Sequence, residues 1–598
     1  MGKSQLRVWL AFCLVNSLCG CGTGGNMTTS PPPTISVLIS PASVNIATGA
    51  QQQFTASVSG STNTSVTWQV NGVTGGDANV GMITTAGLFA APVSATSKST
   101  VSVTATAQAD PTKSASSSVT IVPVVGVAIS PAGAVLAASG QQQYTAAVSN
   151  TLNTAVIWQV NGVAGGSVTL GTISATGLYT APAAATNPTI TAQSVADPTK
   201  SASTMVTVLA AHPAGTRANA SGFAEFFDRA SGNTIFPRGS NYVRLATLTD
   251  PNGNSLLGHS TFNVGAYDSG HAEAALSAMQ AAGFNIVTVT LQGCCANTIG
   301  NPSGGLSSAY IANTVDFLQR AKKHSIAVVF ASSWLPVFGG FSEMMGPCYP
   351  QFDDINLTNL SSCGVKAFTT FYQDFVQGLI SAQAPMDAIF AYEIWDEYYY
   401  NANFGPVSVT SGTVTTANGQ TYDMSSATSK QQMMDDGLVY FADQARTAIL
   451  ALDPTALVTM SFFLPQSPNP IRIGDPRIIE IYPAISTSTL DYVDLHAYPG
   501  SGLTLDQSVQ NFGFIGYLQQ KPILMGEMGA FISSYPQVTD AAAALQVWQI
   551  QSCTYNFQGW LVWTWDTDEQ PELWNAMSQG GIISQALSPV ARPNPCTP

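Results

Sequence analysis

Two glutamates lie at the ends of apolar stretches that are typical of buried β-strands. Glu527 ends the run Pro-Ile-Leu-Met-Gly that follows Lys521, and Glu397 ends the run that begins at Ala388. A carboxylate buried at the end of a strand costs free energy unless it has a partner or a function. Two carboxyl groups brought together supply a proton donor and a nucleophile, the chemistry that cleaves a glycosidic bond with retention. The alternative for each glutamate is a structural ion pair, which the scarcity of Lys and Arg disfavours.

Two further apolar segments end in side chains that suit sugar binding. His496 and Tyr498 lie two residues apart, as do Trp563 and Trp565, and such pairs share one face of a regular strand. An aromatic ring can cover the apolar face of a pyranose, so these tryptophans are candidates for that contact. Alternatives stay open, because His496 can be a core histidine and one of the two tryptophans can belong to the core. Trp334, which follows another apolar run, can extend a sugar-binding cleft or pack in the core.

All of these side chains follow strand-like segments, and a (β/α)8 barrel places its site in this way because the loops after its parallel strands share one face. From about residue 212, strands and helices alternate, which predicts a parallel barrel over residues 212–598. The predicted strands cover residues 234–244, 285–292, 326–333, 388–397, 457–463, 491–498, 521–531 and 559–566. The predicted helices cover residues 270–282, 309–324, 365–384, 430–452, 505–519 and 539–555, with a weak helix in segment 465–490.

The four site segments resemble glycoside hydrolase family 5, the cellulase-like family of the large clan of retaining barrel glycosidases. That family ends strand 4 with Asn-Glu, strand 6 with His-x-Tyr, strand 7 with Glu and strand 8 with Trp. The matching positions are Asp396-Glu397, His496-Ala-Tyr498, Glu527, and Trp563 or Trp565. The resemblance implies that Glu397 is the general acid/base and Glu527 the nucleophile. It also implies a β-linked polysaccharide or oligosaccharide substrate, with Asp396, His496, Tyr498 and the tryptophans binding it, and no metal or other cofactor.

Two positions depart from the pattern of that family. Asp396 stands where the family has an Asn, and a carboxylate accepts hydrogen bonds but donates none unless it is protonated. Thr288 stands where the family has an Arg at the end of strand 2, and Arg244 is a candidate replacement from strand 1. These departures motivate the alternative that the barrel is a non-catalytic carbohydrate-binding or adhesive protein.

The charge and the cysteines narrow the classes of function. The chain has 19 Lys and Arg against 33 Asp and Glu, a formal net charge of −14, which disfavours binding to nucleic acid. Six of its nine cysteines lie in the predicted barrel, and six cysteines allow three disulfides. The pairing cannot be read from the sequence, although Cys348–Cys363 and Cys553–Cys596 would staple a loop and the terminus. The cysteines and histidines lack the spacing typical of zinc sites.

The N-terminus has the layout of an export signal. Basic residues precede a short apolar core, and residues 1–21 end in Leu18-Cys-Gly-Cys21, which resembles the lipobox of bacterial lipoproteins. The resemblance implies cleavage before Cys21 and acylation of that residue, which would anchor an exported chain to a membrane. The alternative is an ordinary signal with incidental cysteines. Residues 22–34 are rich in Gly, Thr, Ser and Pro and indicate a flexible linker.

An internal repeat occupies the chain between this linker and the predicted barrel. Trp68-Gln-Val-Asn-Gly-Val recurs from Trp158, an offset of 90 residues. Alternating Val, Thr, Ser and Ala with regular turn residues predicts two β-sandwiches, at residues 35–123 and 124–210. These copies resemble bacterial Ig-like modules, and their tryptophans are predicted to lie in the cores. We therefore expect a monomeric, multidomain cell-surface protein: two all-β Ig-like sandwiches followed by a (β/α)8 barrel.

Overall fold

The computed structural model describes residues 33–250, 252–463, 476–517 and 519–597. The predicted signal, Cys21 and nearly all of the predicted linker lie outside the described residues. None of the helices in the described part of the chain is long and apolar enough to span a membrane.

The first repeat consists of β-strands. They form sheets of two, four and five strands, in which residues Ser36–Ser40 pair antiparallel with Thr55–Ser59. Alternate residues of its long strands are buried, as a sheet with one solvent-facing side requires, and Trp68 lies in the core. Its strands are Ser36–Ser40, Ser43–Ala47, Gln51–Gln53, Thr55–Ser59, Val66–Val70, Val73–Thr74, Gly76–Asp77, Gly81–Ile83, Leu88–Ala90, Ser99–Ala107 and Ser114–Val122.

The second repeat has the same set of sheets with the equivalent strand order. Its Trp158, like Trp68, is only 6% exposed. The all-β prediction for this part of the chain agrees with the structure, while the Ig-like assignment and the domain boundaries stay predictions. The strands of the second repeat are Gly126–Ser130, Ala134–Ala137, Gln141–Gln143, Thr145–Ser149, Val156–Val160, Val163–Ala164, Gly166–Ser167, Gly171–Ile173, Leu178–Thr180, Thr189–Ser194 and Ser201–Leu209.

Eight parallel strands close into a barrel. The fifth strand is interrupted at Met460, and its two parts pair with the fourth strand on one side and the sixth strand on the other, so the sheet has no free edge. This closure confirms the barrel that the alternation of strands and helices predicts. The strands are β1 (Arg238–Asn241), β2 (Ile286–Leu291), β3 (Ala327–Ser332), β4 (Ile389–Glu393), β5 (Leu457–Thr459 and Ser461–Phe463), β6 (Val493–His496), β7 (Ile523–Met528) and β8 (Phe557–Val562).

Helices cover the outside of the barrel, and six of them (α1, α2, α5, α6, α8 and α9) correspond to helices predicted from the sequence. Helices α3, α4 and α10 have no counterpart among the predictions. The α-helices are α1 (Ser269–Ala281), α2 (Ser308–Lys323), α3 (Phe341–Met345), α4 (Asp354–Leu360), α5 (Ser362–Ser381), α6 (Ala427–Leu450), α7 (Tyr482–Ser486), α8 (Leu505–Phe512), α9 (Val538–Ser552) and α10 (Ser578–Leu587). The 3-10 helices are Gly346–Cys348, Met386–Ala388, Ile515–Tyr517 and Cys553–Tyr555.

Two helix predictions differ from the structure. The helix predicted to run to residue 519 ends at Phe512, because Gly513 adopts a left-handed conformation with φ 71° and caps it. The weak helix in segment 465–490 lies partly outside the described residues, and its described part contains only the five-residue α7.

Short hairpins accompany the barrel. One hairpin precedes β1, and its Phe226 packs against Phe390 and Tyr492 at the amino end of the barrel. The short antiparallel pairs are Ala214–Ala218 with Ala224–Asp228, Leu245–Thr249 with Ser255–His259, Tyr400–Asn401 with Arg477–Ile478, Thr413–Thr415 with Thr421–Asp423, and Ala530–Phe531 with Leu573–Trp574.

Three disulfides lie in the barrel domain. They include both pairs considered from the sequence, Cys348–Cys363 and Cys553–Cys596. The third joins the neighbours Cys294 and Cys295, directly after β2.

Candidate active site

Glu397, Glu527 and His496 meet at the carboxyl end of the barrel. Glu527 lies within β7 and His496 ends β6, so the parallel register of the two strands sets them side by side. Glu397 lies four residues beyond the end of β4, which stops at Glu393. The predicted strand was therefore too long, because the chain leaves the sheet before the acid pair and turns back with a left-handed φ of 56° at Glu397.

His496 bridges the two glutamates. Its Nδ1 is 3.2 Å from Oε1 of Glu397 and 3.3 Å from Oε2 of Glu527. One carboxylate oxygen of each glutamate and one ring nitrogen of His496 all lie within 4.8 Å of one another. Such a short separation between carboxyl groups is typical of retaining glycosidases, in which no water has to fit between the second carboxylate and the sugar.

The site holds more negative than positive charge, and this raises the pKa values of His496 and Glu527. Burial lowers the pKa of the His496 imidazole, but the Glu527 and Glu397 carboxylates outweigh it and raise that pKa well above its usual range. Burial raises the pKa of the Glu527 carboxyl, and the charges of Asp396 and Glu397 raise it further. The charge of His496 lowers it, but the pKa still lies well above its usual range. The carboxylates around His496 thus favour its protonated form.

Tyr498 orients Glu527. Its hydroxyl donates a hydrogen bond of 2.5 Å to Oε2 of Glu527, and this bond lowers the pKa of the Glu527 carboxyl. The Glu527 side chain is only 11% exposed, whereas that of Glu397 is 39% exposed. One carboxylate is therefore held rigidly inside the barrel mouth, and the other faces the solvent.

Asp396 is held by two serines, which the sequence analysis did not single out. Ser461 donates to its Oδ1 at 3.2 Å, and Ser333 donates to its Oδ2 at 3.3 Å. Burial raises the pKa of the Asp396 carboxyl; the charge of His496 lowers that pKa, and Glu397 raises it further. The carboxylate at this position is thus supplied with hydroxyl donors from β5 and from the end of β3.

A second pair of acids lies under His496. Glu393 and Asp494 are almost fully buried, and burial raises the pKa of both carboxyls, that of Asp494 to about 7. Oδ1 of Asp494 accepts a bond of 2.6 Å from the backbone N–H of Gly526. A Cβ on Gly526 would lie 2.1 Å from Oδ2 of Asp494, so this approach requires a glycine.

Within the described ranges, two groups of side chains have ligand atoms close enough to hold a metal ion. They are Glu397, His496 and Glu527, and Glu393, Asp396 and His496. Both groups rely on His496, which binds a metal only as the neutral imidazole. The raised pKa of His496 opposes the loss of its proton.

The tryptophans divide between the site and the core. Trp563 follows β8 and packs against Tyr498 and Phe531, and its peptide bond to Thr564 is cis. Trp565 is 3% exposed and packs edge-on against Phe284 in the core. The two-residue spacing does not place both rings on one face because β8 ends at Val562, before either tryptophan. We therefore do not retain Trp565 as a sugar-binding residue.

A cavity of about 220 Å³ is lined in part by Ser333, the serine that donates to Asp396. Trp334, whose residue surface is 48% exposed, lines this cavity and meets Trp395 edge-on at 5.6 Å. His259 is on the same lining, hydrogen-bonds Glu569, and has its ring 6.0 Å from that of Trp563. His259 ends a hairpin between neighbouring segments of the chain. Its position near Trp563 and Glu569 depends on contacts with residues about 300 positions away, so no sequence pattern indicated it. The lining residues are Gly258, His259, Thr290, Leu291, Gln292, Gly293, Ser333 and Trp334.

Arg244 does not take the place of the missing strand-2 arginine. Its Nη1 donates to Asp566 at 3.0 Å and its Nη2 donates to Thr567 at 2.7 Å. The guanidinium is thus bound to the loop after β8, which does not support Arg244 as the replacement for the strand-2 arginine. Thr288 is a buried residue in β2, in register with Asn241.

No protein-family model matches the sequence, and no curated protein matches it. Among solved structures, an exo-β-1,4-mannosidase from Opitutaceae bacterium strain TAV5 is 16% identical with a TM-score of 0.37; the match covers 62% of this chain and 58% of that chain, less than two thirds of its length. An endo-β-1,4-mannanase from Thermotoga petrophila is 13% identical with a TM-score of 0.39, covering 60% and 77%. A β-1,4-mannanase from the sea hare Aplysia kurodai is 14% identical with a TM-score of 0.36, covering 61% and 94%. Similarities this low identify neither the family nor the activity of this chain.

Proposed function

We propose that the barrel is a retaining glycoside hydrolase that acts on a β-linked polysaccharide or oligosaccharide. The observation that carries this proposal is the placement of the Glu397 and Glu527 carboxylates within 4.8 Å of each other, with His496 between them. The site lies where the loops of a parallel barrel converge, and this is the location at which such barrels carry out catalysis. The residue types match a chemistry that needs two carboxyl groups and no cofactor.

In the first step, an oxygen of Glu527 attacks the anomeric carbon while Glu397 gives its proton to the departing glycosidic oxygen. In the second step, Glu397 takes a proton from water as that water displaces Glu527, so both groups return to their starting states. The more exposed Glu397 can reach the leaving group and the water. Tyr498 holds Oε2 of Glu527, and the charge of His496 favours the carboxylate form of Glu527.

The aromatic groups around the carboxylates supply a sugar-binding surface. Trp334 presents an exposed ring beside the cavity that Ser333 and His259 also line, and Trp563 borders Tyr498. A partly apolar cavity with a few polar groups suits the two faces of a sugar ring. We propose that Asp396, with His496 and Tyr498, contacts the hydroxyl groups of the sugar next to the cleaved bond.

For the rest of the chain we propose a supporting role. Residues 35–123 and 124–210 would be Ig-like spacers, and residues 1–21 a lipoprotein signal with Cys21 as the acylated residue. The protein would then be exported and anchored to a membrane, with the barrel presented to glycans outside the cell. The repeat and the lipobox-like sequence support this arrangement.

The test is the release of reducing sugar by the full chain from β-glucans, mannans and xylans, compared with Glu397→Gln and Glu527→Gln. Glu343→Gln, which changes an exposed glutamate on α3, is the matched control. We expect activity in the parent and in the control and a loss of at least about 1,000-fold in both site variants. The anomer first released, followed by NMR, should be the β-anomer, as retention requires.

The alternative function is glycan binding without hydrolysis. Asp396 and Thr288, which stand where the resemblance expects Asn and Arg, are the observations that favour it. A parent that binds one of the three glycans in a pull-down assay but releases no reducing sugar would support this alternative. Activity that survives in both Gln variants would refute the assignment of the two glutamates.

A further inference from the structure

The backbone at Glu397 adopts a conformation that a glutamate rarely takes without support. Its φ of 56° lies in the left-handed region, which non-glycine residues occupy only when their surroundings hold them there. Glu397 also lies four residues beyond the sheet, so the hydrogen bonds within β4 do not hold it. The position of its carboxyl group therefore depends on contacts from a neighbouring element.

Ser461 on β5 makes several contacts to the turn formed by residues 395–398. Its Oγ accepts a bond of 2.8 Å from the backbone N–H of Glu397 and donates one of 3.2 Å to Oδ1 of Asp396. Its own backbone N–H donates to the carbonyl of Trp395 at 2.9 Å, and its carbonyl accepts from the N–H of Tyr398 at 2.9 Å. The four consecutive residues 395–398 are thus each bonded to one serine.

The hydroxyl of Ser461 has the chemistry that this position requires. A serine hydroxyl can accept one bond and donate another at the same time, and here it accepts from a backbone amide and donates to a carboxylate. Ser461 is fully buried, so water cannot easily replace these bonds. It begins the second part of β5, directly after the interruption at Met460, and is paired there with Asp494 of β6.

We propose that Ser461 is a positioning residue that holds Glu397 and Asp396 in the geometry needed for proton transfer to the leaving group. The proposal rests on the proposed hydrolase function. An alanine at this position would remove both bonds of the Ser461 hydroxyl, to the Glu397 N–H and to the Asp396 carboxylate, and Glu397 would spend less time where it can protonate the glycosidic oxygen. Small displacements of a catalytic group cost large factors in rate.

The test compares two leaving groups on the glycone that the parent hydrolyses in the polysaccharide panel, as phenyl and 2,4-dinitrophenyl β-glycosides of cellobiose, mannobiose or xylobiose. Phenolate departs slowly unless it is protonated, whereas 2,4-dinitrophenolate needs no proton. For Ser461→Ala in the full chain, we expect kcat/KM for the phenyl glycoside to fall roughly 10- to 100-fold. For the dinitrophenyl glycoside we expect a fall of less than about threefold, since the attack by Glu527 is unchanged.

Thr459→Val is the matched control. Thr459 is also fully buried on β5, but its hydroxyl donates to the carbonyl of Tyr492 and makes no bond to residues 395–398. We expect Thr459→Val to lower both rates by the same factor, if it lowers them at all. Ser461→Cys, which keeps the side-chain size and has only a weak hydrogen-bonding group, should follow Ser461→Ala.

The outcomes separate the two proposals. A parent that hydrolyses neither glycosides nor polysaccharides would refute the hydrolase function, and with it the role of Ser461. An active parent whose Ser461→Ala variant loses the same factor on both leaving groups, as the control does, would refute the role of Ser461 and leave the hydrolase function intact.

Discussion

Tyr498→Phe is the sharpest test of how Glu527 is tuned. The substitution removes one oxygen and with it the 2.5 Å bond to Oε2 of Glu527. A hydrogen bond to a charged group contributes about 1.5–3 kcal/mol, and each 1.4 kcal/mol corresponds to about a factor of ten in rate. We therefore expect kcat/KM to fall by about 10- to 150-fold.

The pH dependence of kcat/KM provides a second, independent test, because the direction of its shift can be predicted. The Tyr498 hydroxyl lowers the pKa of the Glu527 carboxyl, because it stabilises the carboxylate. Without this bond the pKa of Glu527 rises, and a higher pH is needed to form the nucleophile. The acidic limb of the profile of kcat/KM against pH should therefore move to higher pH in Tyr498→Phe.

The assay is the initial rate of glycoside hydrolysis across the pH range, with Tyr492→Phe as the control. Tyr492 is a buried tyrosine next to β6 whose hydroxyl has no hydrogen-bond partner within the described part of the chain. Its removal should leave the acidic limb where it is in the parent. An acidic limb that stays fixed in Tyr498→Phe, or moves to lower pH, would show that this hydroxyl does not stabilise the ionised nucleophile.

Three further predictions concern stability and binding. Burial raises the pKa of Asp494 from 3.8 to about 7, so the folding stability of the parent falls as the pH rises between these values. Asp494→Asn should remove this fall. The melting temperature of the variant minus that of the parent should therefore be larger at about pH 8 than at about pH 5. Gly526→Ala should destabilise the barrel by about 2 kcal/mol or more in urea unfolding, because its Cβ would lie 2.1 Å from the Asp494 carboxylate. Trp334→Ala should raise KM several-fold with little change in kcat, because its half-exposed ring is offered to the sugar. An unchanged KM would mean that the ring only packs against Trp395.

The sequence was informative wherever the signal was local. An apolar run that ends in an acid singled out Glu527 and Glu397, because such a pattern is visible within about ten residues. The helical periods located the main helices within a few residues, except for the end of α8, which stops at Phe512 instead of residue 519. The repeat of Trp68 and Trp158 indicated two copies of one all-β unit. None of these inferences required knowledge of which distant segments meet.

The sequence could not decide the position of a side chain where that position depends on the end of a strand or on a partner far away in the chain. The spacing of Trp563 and Trp565 indicated a common face only for a regular strand and left open that one of them belongs to the core; β8 ends at Val562, and Trp565 packs against Phe284 while Trp563 lies with Tyr498. Arg244 was a candidate replacement, from strand 1, for the strand-2 arginine, whereas the structure binds its guanidinium to Asp566 and Thr567. A two-residue period holds only as long as the strand does.

The sequence by itself determined the types of side chain and the order of the elements: two glutamates, a His-x-Tyr segment, and the strand-helix alternation that closes a barrel. Only the tertiary structure decided their relations. Ser461 bonds residues 64 and 65 positions away along the chain, and His496 lies between glutamates on two other segments. The physical reason is that hydrogen bonds and pKa values depend on distances of a few ångströms in space, which barrel closure creates between residues that no local pattern connects.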